Sequence, residues 1–307
     1  PSADYQRFLG LCSHEYFHSW LVKFIRPENF VNYDLNKEGY TSLLWIFEGF
    51  TSYYDDLILL RSGVINQESY IKLLKSQIDR YLQNPGRAVQ TVAESSFDAW
   101  VKFYRQDENS NNAGTSYYNK GCLVALCLDL GLRLRGSSLD ELMRKLYENA
   151  QNGIQVNERT IYELANDLTG DDWSEQINHL INTTDELPLD QLFPESGLSY
   201  TLNHDKSLPF GLKLADKPEG VLIQSARRDG SGVLAGLSAN DVIVAIDGLK
   251  ATAKLVEKYA KQDGTYIVYA FRRDEFMQFE VKASGSALTE VNLKVEDQAK
   301  VEKWLKA

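Results

Sequence analysis

Apolar residues recur at helical spacing over most of the first 182 positions. In 7–25, Phe8, Leu11, Cys12, Phe17, Leu21 and Val22 fall on one face, and Pro27 closes the segment. A second helix is predicted over 43–62, with Gly63 as its C-terminal cap. A third runs over 66–83 and stops at Asn84-Pro85-Gly86, a strong turn signal. Residues 87–114 lose the period and end in the polar tract Asn109-Ser110-Asn111-Asn112-Ala113-Gly114, which reads as a surface excursion. Helical spacing returns over 116–135. Another helix starts at Ser138, where Glu141 completes a capping box, one more follows Asn157, and a last one covers 172–182.

The texture changes near 183. The stretch TTDELPLDQLFPESG carries two prolines and no period, so 183–197 reads as a linker. Beyond it come short β-rich runs, GVLIQSA, DVIVAIDG, TYIVYAFRR and MQFEVKA, punctuated by Gly and Asp. One short helix at 251–261 interrupts them, and 291–307 reads as an amphipathic helix. The expected division is a helical domain over 1–182, the linker, a β-rich domain over 198–290 and a C-terminal helix. No internal repeat or low-complexity segment is present.

Composition narrows the function classes. The 307 residues suit two domains, and 43% apolar content allows a substantial core. A net charge of −10 argues against a phosphate backbone as partner. No run of eighteen apolar residues suggests a membrane span, and no basic n-region precedes an apolar core at the start. A strong motif stands only thirteen residues in, so a longer parent protein is expected. Cys12, Cys122 and Cys127 are odd in number and form no C-x-x-C pair. They read as buried reduced thiols, which leans towards a reducing, cytoplasmic compartment.

The candidate chemistry begins with His14-Glu15-Tyr16-Phe17-His18, the H-E-x-x-H pattern. On a helix, positions i and i+4 share a face, so two imidazoles can meet one ion while Glu15 stands close by as a base. A bare match of this kind also arises by chance on a core helix. A hydrolytic zinc usually has a third protein ligand and one open position. Glu48 in Leu43-Leu44-Trp45-Ile46-Phe47-Glu48-Gly49-Phe50 supplies it, as a lone carboxylate in an apolar run. Taken alone, Glu48 reads as a salt-bridge partner. Beside the H-E-x-x-H helix it reads as a ligand, because an unpaired buried carboxylate needs a cation. Two imidazoles and one carboxylate are the ligand set of a single catalytic zinc, whereas calcium and magnesium want oxygen shells.

These residues resemble the Glu-zincin metallopeptidases with thermolysin-like catalytic domains. HEYFHSWLVKFIRP, LLWIFEGFTSYYDDLILLRSG and SYYNKGCLVALCLDLGLR in that order resemble, more narrowly, the glycyl aminopeptidase family, which also ends in a PDZ domain. The resemblance implies a multidomain fold, a mainly α-helical zinc peptidase domain followed by a β-rich PDZ domain. It implies ligands at His14, His18 and Glu48 and a general base at Glu15. It also places Tyr118, in Tyr118-Asn119-Lys120-Gly121, as donor to the oxyanion. Without the family, Tyr118 reads as one half-buried tyrosine among 17, and Tyr117 is its nearest rival.

Two departures matter. Thermolysin carries an acidic residue four positions after its glutamate ligand, and Ser52 stands there. Asp55, seven after Glu48, either supports a histidine from the second shell or is an exposed aspartate. The family also begins with a β-rich region bearing a substrate-holding, glutamate-containing strand, which this chain lacks. That missing N-terminal region of the same protein is therefore an expected partner.

Leu208-Pro209-Phe210-Gly211-Leu212 resembles a PDZ carboxylate-binding loop, and the run from Ser231 to Gly248 resembles bacterial protease-linked PDZ domains. Phe210, Gly211 and Leu212 would line a groove for a peptide C-terminus, unless the fold merely packs on its neighbour. The leading expectation is a zinc aminopeptidase acting on peptides, with a family preference for small residues such as Gly or Ala. The alternatives are an endopeptidase of the same chemistry, or a PDZ-bearing binding protein with an inactive metal domain. His179 and His204 are assigned no role.

Overall fold

The computed structural model describes residues 2–205, 209–283 and 288–306. Helix α1 (Ala3–Phe17) starts at Ser2, whose hydroxyl accepts from Tyr5 N, and ends with His18 as its C-cap. Residues 18–25 are turns, not the continued helix the spacing predicts. Leu21 and Ile25 are buried there, but Phe8 and Leu11 stay 55% and 57% exposed. Cys12 is exposed too, which corrects the reading of three buried thiols.

The segment predicted as one helix over 43–62 is broken. Helix α2 (Leu44–Phe47) and α3 (Gly49–Arg61) meet at Glu48, with φ −104° and ψ −38°. Helix α4 (Gln67–Leu82) is capped by Asn66. The surface excursion proves more ordered than its polarity suggests. It holds α5 (Val92–Phe97), with a Thr91/Glu94 capping box, a π-helical turn at Ala99–Phe103 and α6 (Ser110–Ala113). Val92, Ser95, Ser96 and Ala99 are buried, and Ser96 Oγ accepts from Trp45 N at 3.0 Å.

Helix α7 (Asn119–Arg133) is apolar nearly all round and runs through the middle of the core. Around it follow α8 (Leu139–Gln151), α9 (Thr160–Thr169) and α10 (Ser174–Asn182). Ser138 caps α8 through Glu141 N, but Glu141 bonds Ser137 rather than closing a capping box. The expected linker is not one. It contains α11 (Leu189–Glu195), and Leu189, Leu192 and Phe193 bury at i, i+3 and i+4 in the helical core.

Strand β1 (Leu198–Asp205) pairs antiparallel with β8 (Leu288–Val295), Leu198 opposite Val295 and Leu202 opposite Val291. This ribbon belongs to the helical body, since Leu198 and Val291 sit in its core. The predicted helix over 291–307 is thus strand first, then α14 (Gln298–Leu305). Between the ribbon strands lies a separate sheet with its own core. Its strands are β2 (Leu212–Lys217), β3 (Gly220–Ala226), β4 (Val242–Ile246), β5 (Leu249–Lys250), β6 (Gly264–Arg272) and β7 (Glu275–Ala283). Their order is β2-β3-β4-β6-β7, with β5 on β4. Helices α12 (Ser231–Leu234) and α13 (Ala253–Ala260) pack on it. The sheet module touches the helical body near α6, where Asn112 Nδ2 donates to Ala226 O at 2.7 Å and Arg228 N to Asn112 Oδ1 at 2.9 Å. Among the described residues no helix is long and apolar enough to cross a membrane.

The last helix closes the body. Arg61 Nε donates to Leu305 O and Arg133 Nη1 to Lys303 O, while both arginines pair with Asp140. Trp304 Nε1 donates to Tyr53 Oη, which donates in turn to the buried Asp129. Tyr54 donates to Asp140 and stacks on Phe17 of α1 with ring centroids 5.0 Å apart. Helix α3 is therefore held on one side by the C-terminal helix and on the other by α1.

Candidate metal centre

His14 lies in the last turn of α1 and His18 is its C-cap, so both imidazoles leave the same end of one helix. Glu48 sits at the break between α2 and α3, which turns its carboxylate out of the apolar run towards them. His14 Nε2 is 3.2 Å and His18 Nε2 3.3 Å from the same oxygen, Glu48 Oε2. Among the described residues, these three form the group whose ligand atoms all lie within 4.8 Å of one another. A tetrahedral shell with bonds of about 2.0–2.1 Å has ligand-to-ligand edges of about 3.3 Å. The donor set and these two edges fit a zinc ion.

Electrostatics point the same way. Burial works against a charge on His14, but bonds to Asp55 and Glu48 outweigh it and raise its pKa to about 9. Burial likewise resists ionisation of Glu48, yet bonds from His14 and His18 lower it to about 2. Concentrated negative charge that favours a proton on His14 also favours a dication between the ligands.

Asp55 joins this cluster. Its Oδ2 lies 3.3 Å from His14 Nδ1, two turns along α3 from Glu48. Accepting from Nδ1–H leaves the Nε2 lone pair free for an ion. His18 differs: among the described residues its buried Nδ1 has no such partner. Glu15 is exposed and lines the same open cleft of about 1190 Å³ as His14, His18 and Glu48.

A sequence model described as M61 glycyl aminopeptidase matches residues 7–124, a span that includes all of these side chains. The crystal structure of an aminopeptidase N family protein from Idiomarina loihiensis is 37% identical. It matches 100% of this chain and 56% of that one, with a TM-score of 0.90. This chain belongs to the glycyl aminopeptidase family. It spans 56% of the length of that solved aminopeptidase N family protein. A search of curated proteins finds no match. The HtrA3 PDZ domain bound to a phage-derived ligand aligns with 31% of this chain and 92% of that one. At 12% identity and a TM-score of 0.23, that likeness is too slight to carry the fold of the sheet module.

Two glycines of the family motifs explain how the site closes. A Cβ on Gly49 would lie 2.6 Å from Gly121 Cα, and one on Gly121 would lie 2.9 Å from Gly49 Cα. Helices α3 and α7 therefore cross backbone to backbone, which brings Tyr118 at the start of α7 beside Glu48 at the start of α3. The Tyr118 ring stands 6.1 Å from the His14 ring and lines the cleft. Burial and then the Glu48 charge raise its pKa, so its hydroxyl keeps the proton it would donate. Tyr117 is buried instead, bonded to Tyr104 Oη at 3.1 Å. The structure thus separates the two neighbours that the sequence leaves close.

Phe210 and Leu212 are buried in the sheet module's core and Gly211 O accepts from Arg227 N, so these three do not join the metal cleft. Leu208 lies outside the described residues. Among the other cleft residues, Asp56 and Ser116 stand inside the quoted motifs with no role assigned to them from sequence, and Phe103 lies outside every motif. Burial and then the neighbouring Asp55 charge push Asp56 up to about 7.

Proposed function

We propose that this chain carries the catalytic zinc site of an aminopeptidase, on a thermolysin-like helical domain. The observation that supports this reading is the placement of His14, His18 and Glu48 around one point on the wall of a cleft that also holds Glu15 and Tyr118. His14 Nε2, His18 Nε2 and a Glu48 oxygen are the ligands. Zinc held there would polarise the scissile carbonyl and lower the pKa of the attacking water.

The protein's own groups do the rest. Asp55 Oδ2 orients His14 through Nδ1. Glu15 takes a proton from the attacking water on its carboxylate and passes it to the leaving amine nitrogen. Tyr118 Oη donates to the oxygen on which negative charge develops, a contact stronger in the transition state than in the ground state. The substrate is a peptide with a free N-terminus, with a preference for a small first residue such as Gly or Ala, as the family implies.

The sheet module is proposed as PDZ-like. Strand β2 is at the edge of its sheet and offers a place for strand addition by a peptide C-terminus.

The test is hydrolysis of Gly- and Ala-arylamides by the full-length protein with and without zinc. Zinc-dependent release, with N-terminally blocked peptides left intact, supports the reading. Cleavage of blocked peptides would replace it with an endopeptidase.

A further inference from the structure

Beyond Tyr118 the cleft wall continues into Phe103. Residues Ala99–Phe103 make a π-helical turn, and Tyr104 N donates to Ala99 O at 3.0 Å, five residues back. Such turns take in one extra residue and recur at functional sites. Here the turn carries the Phe103 ring onto Tyr117, with centroids 4.9 Å apart, and onto Tyr118, at 5.6 Å. Behind Phe103 lies a second cavity of about 240 Å³. Phe103 and Ser116 line both this cavity and the metal cleft, so they are the partition between the two.

We propose that Phe103 sets the size limit for the side chain of the substrate's N-terminal residue. This rests on the aminopeptidase reading above and names the residue that enforces its preference. The scissile carbonyl must reach the Tyr118 hydroxyl, so the side chain on the adjoining carbon runs along the wall that Tyr118 and Phe103 share. The Phe103 ring is half-buried between two tyrosines and does not swing aside cheaply. Gly or Ala leaves it in place, whereas Leu or Phe runs into it.

Removing the ring would join the rear cavity to the cleft. An apolar cavity of about 150 Å³ holds benzene, so a rear space of about 240 Å³ has room for a Leu or Phe side chain. Its lining is largely polar, and of those groups Thr115 N already donates to Gln90 Oε1 at 3.0 Å and Ser95 Oγ to Thr115 O at 2.6 Å. An entering apolar chain therefore strips no bond from those groups.

The experiment uses full-length zinc-loaded protein as wild type, Phe103→Ala and Phe103→Leu. It measures kcat/KM on the 4-nitroanilides of Gly, Ala, Leu and Phe. The Leu-to-Gly ratio should rise about tenfold or more in Phe103→Ala and by a smaller factor in Phe103→Leu. An unchanged ratio in either active variant, or an equal fall on all four substrates, overturns the proposal while leaving the aminopeptidase reading intact. Should Phe103→Ala not fold, the ratio in Phe103→Leu decides alone. No hydrolysis of any of the four by wild type would sink the aminopeptidase reading and this inference together.

Discussion

Gly49 and Gly121 meet backbone to backbone, with no room for a Cβ on either. That contact sets the crossing of α3 on α7 and, through it, the distance between Glu48 and Tyr118. It explains why each of the two motif residues is followed closely by a glycine. In both cases the glycine's role is close approach, since neither has a positive φ.

Gly121→Ala should therefore push the helices apart. We expect a stability loss of about 1–3 kcal/mol, as for other overpacked sites. Zinc retention and turnover should fall with it. Urea unfolding, zinc content and hydrolysis measured on one preparation check this. A variant with wild-type activity would show that the crossing tolerates a methyl group.

Asp55 gives a cleaner separation of binding from folding. Asp55→Ala leaves His14 without its Nδ1 acceptor. Zinc affinity should drop about 10–100-fold, the usual cost of losing a carboxylate behind a histidine ligand. Competition with a chromophoric chelator measures it. Unaltered affinity would make Asp55 a mere neighbour.

Glu15 and Tyr118 are expected to fail differently from the ligands. Glu15→Gln should keep zinc and lose about 10²–10⁴-fold in kcat. Tyr118→Phe should lower kcat about 10²–10³-fold with little change in KM. Tyr117→Phe, which removes the bonds to Tyr104 and Tyr118 but leaves the Tyr118 hydroxyl in the cleft, should stay within a few-fold of wild type. Steady-state kinetics on a Gly-arylamide distinguish these cases, and equal effects at Tyr117 and Tyr118 would refute the assignment.

Lys120 predicts a pH dependence. It is wholly buried, its Nζ donates to Thr183 O at 3.2 Å, and burial followed by the Arg87 charge lowers its pKa to about 8. Between that value and about 10.4 the unfolded chain holds a proton that the folded chain has lost. Stability from this group therefore rises with pH across the window. Lys120→Met should abolish that rise and be neutral to about 2 kcal/mol stabilising at pH 7. Urea midpoints at the two ends of the window test it, and an unaltered slope would contradict it.

The candidate metal cluster was legible because its information is local. H-E-x-x-H needs only one helical turn, and Glu48 stands out as a carboxylate among apolar residues. Length and burial were harder. The apolar face of 7–25 predicts a core helix, yet α1 stops at Phe17 and leaves Phe8 and Leu11 exposed. Spacing reports which residues share a face, not whether anything covers it. The β1–β8 ribbon pairs positions some ninety residues apart, a match no window along the chain can contain. Two prolines hid α11, whose Leu189, Leu192 and Phe193 fill the helical core. Phe103 gave no signal at all, since nothing along the chain sets it apart from its neighbours Phe97, Trp100 and Tyr104, and it acquires meaning only where Tyr117 and Tyr118 pack on it.

The most direct test is X-ray diffraction from zinc-loaded crystals on either side of the zinc absorption edge. One anomalous peak per chain is expected, about 2.0–2.2 Å from His14 Nε2, His18 Nε2 and a Glu48 oxygen. A peak bonded to other residues, or Glu48 turned away from it, would rule out the His14–His18–Glu48 zinc site.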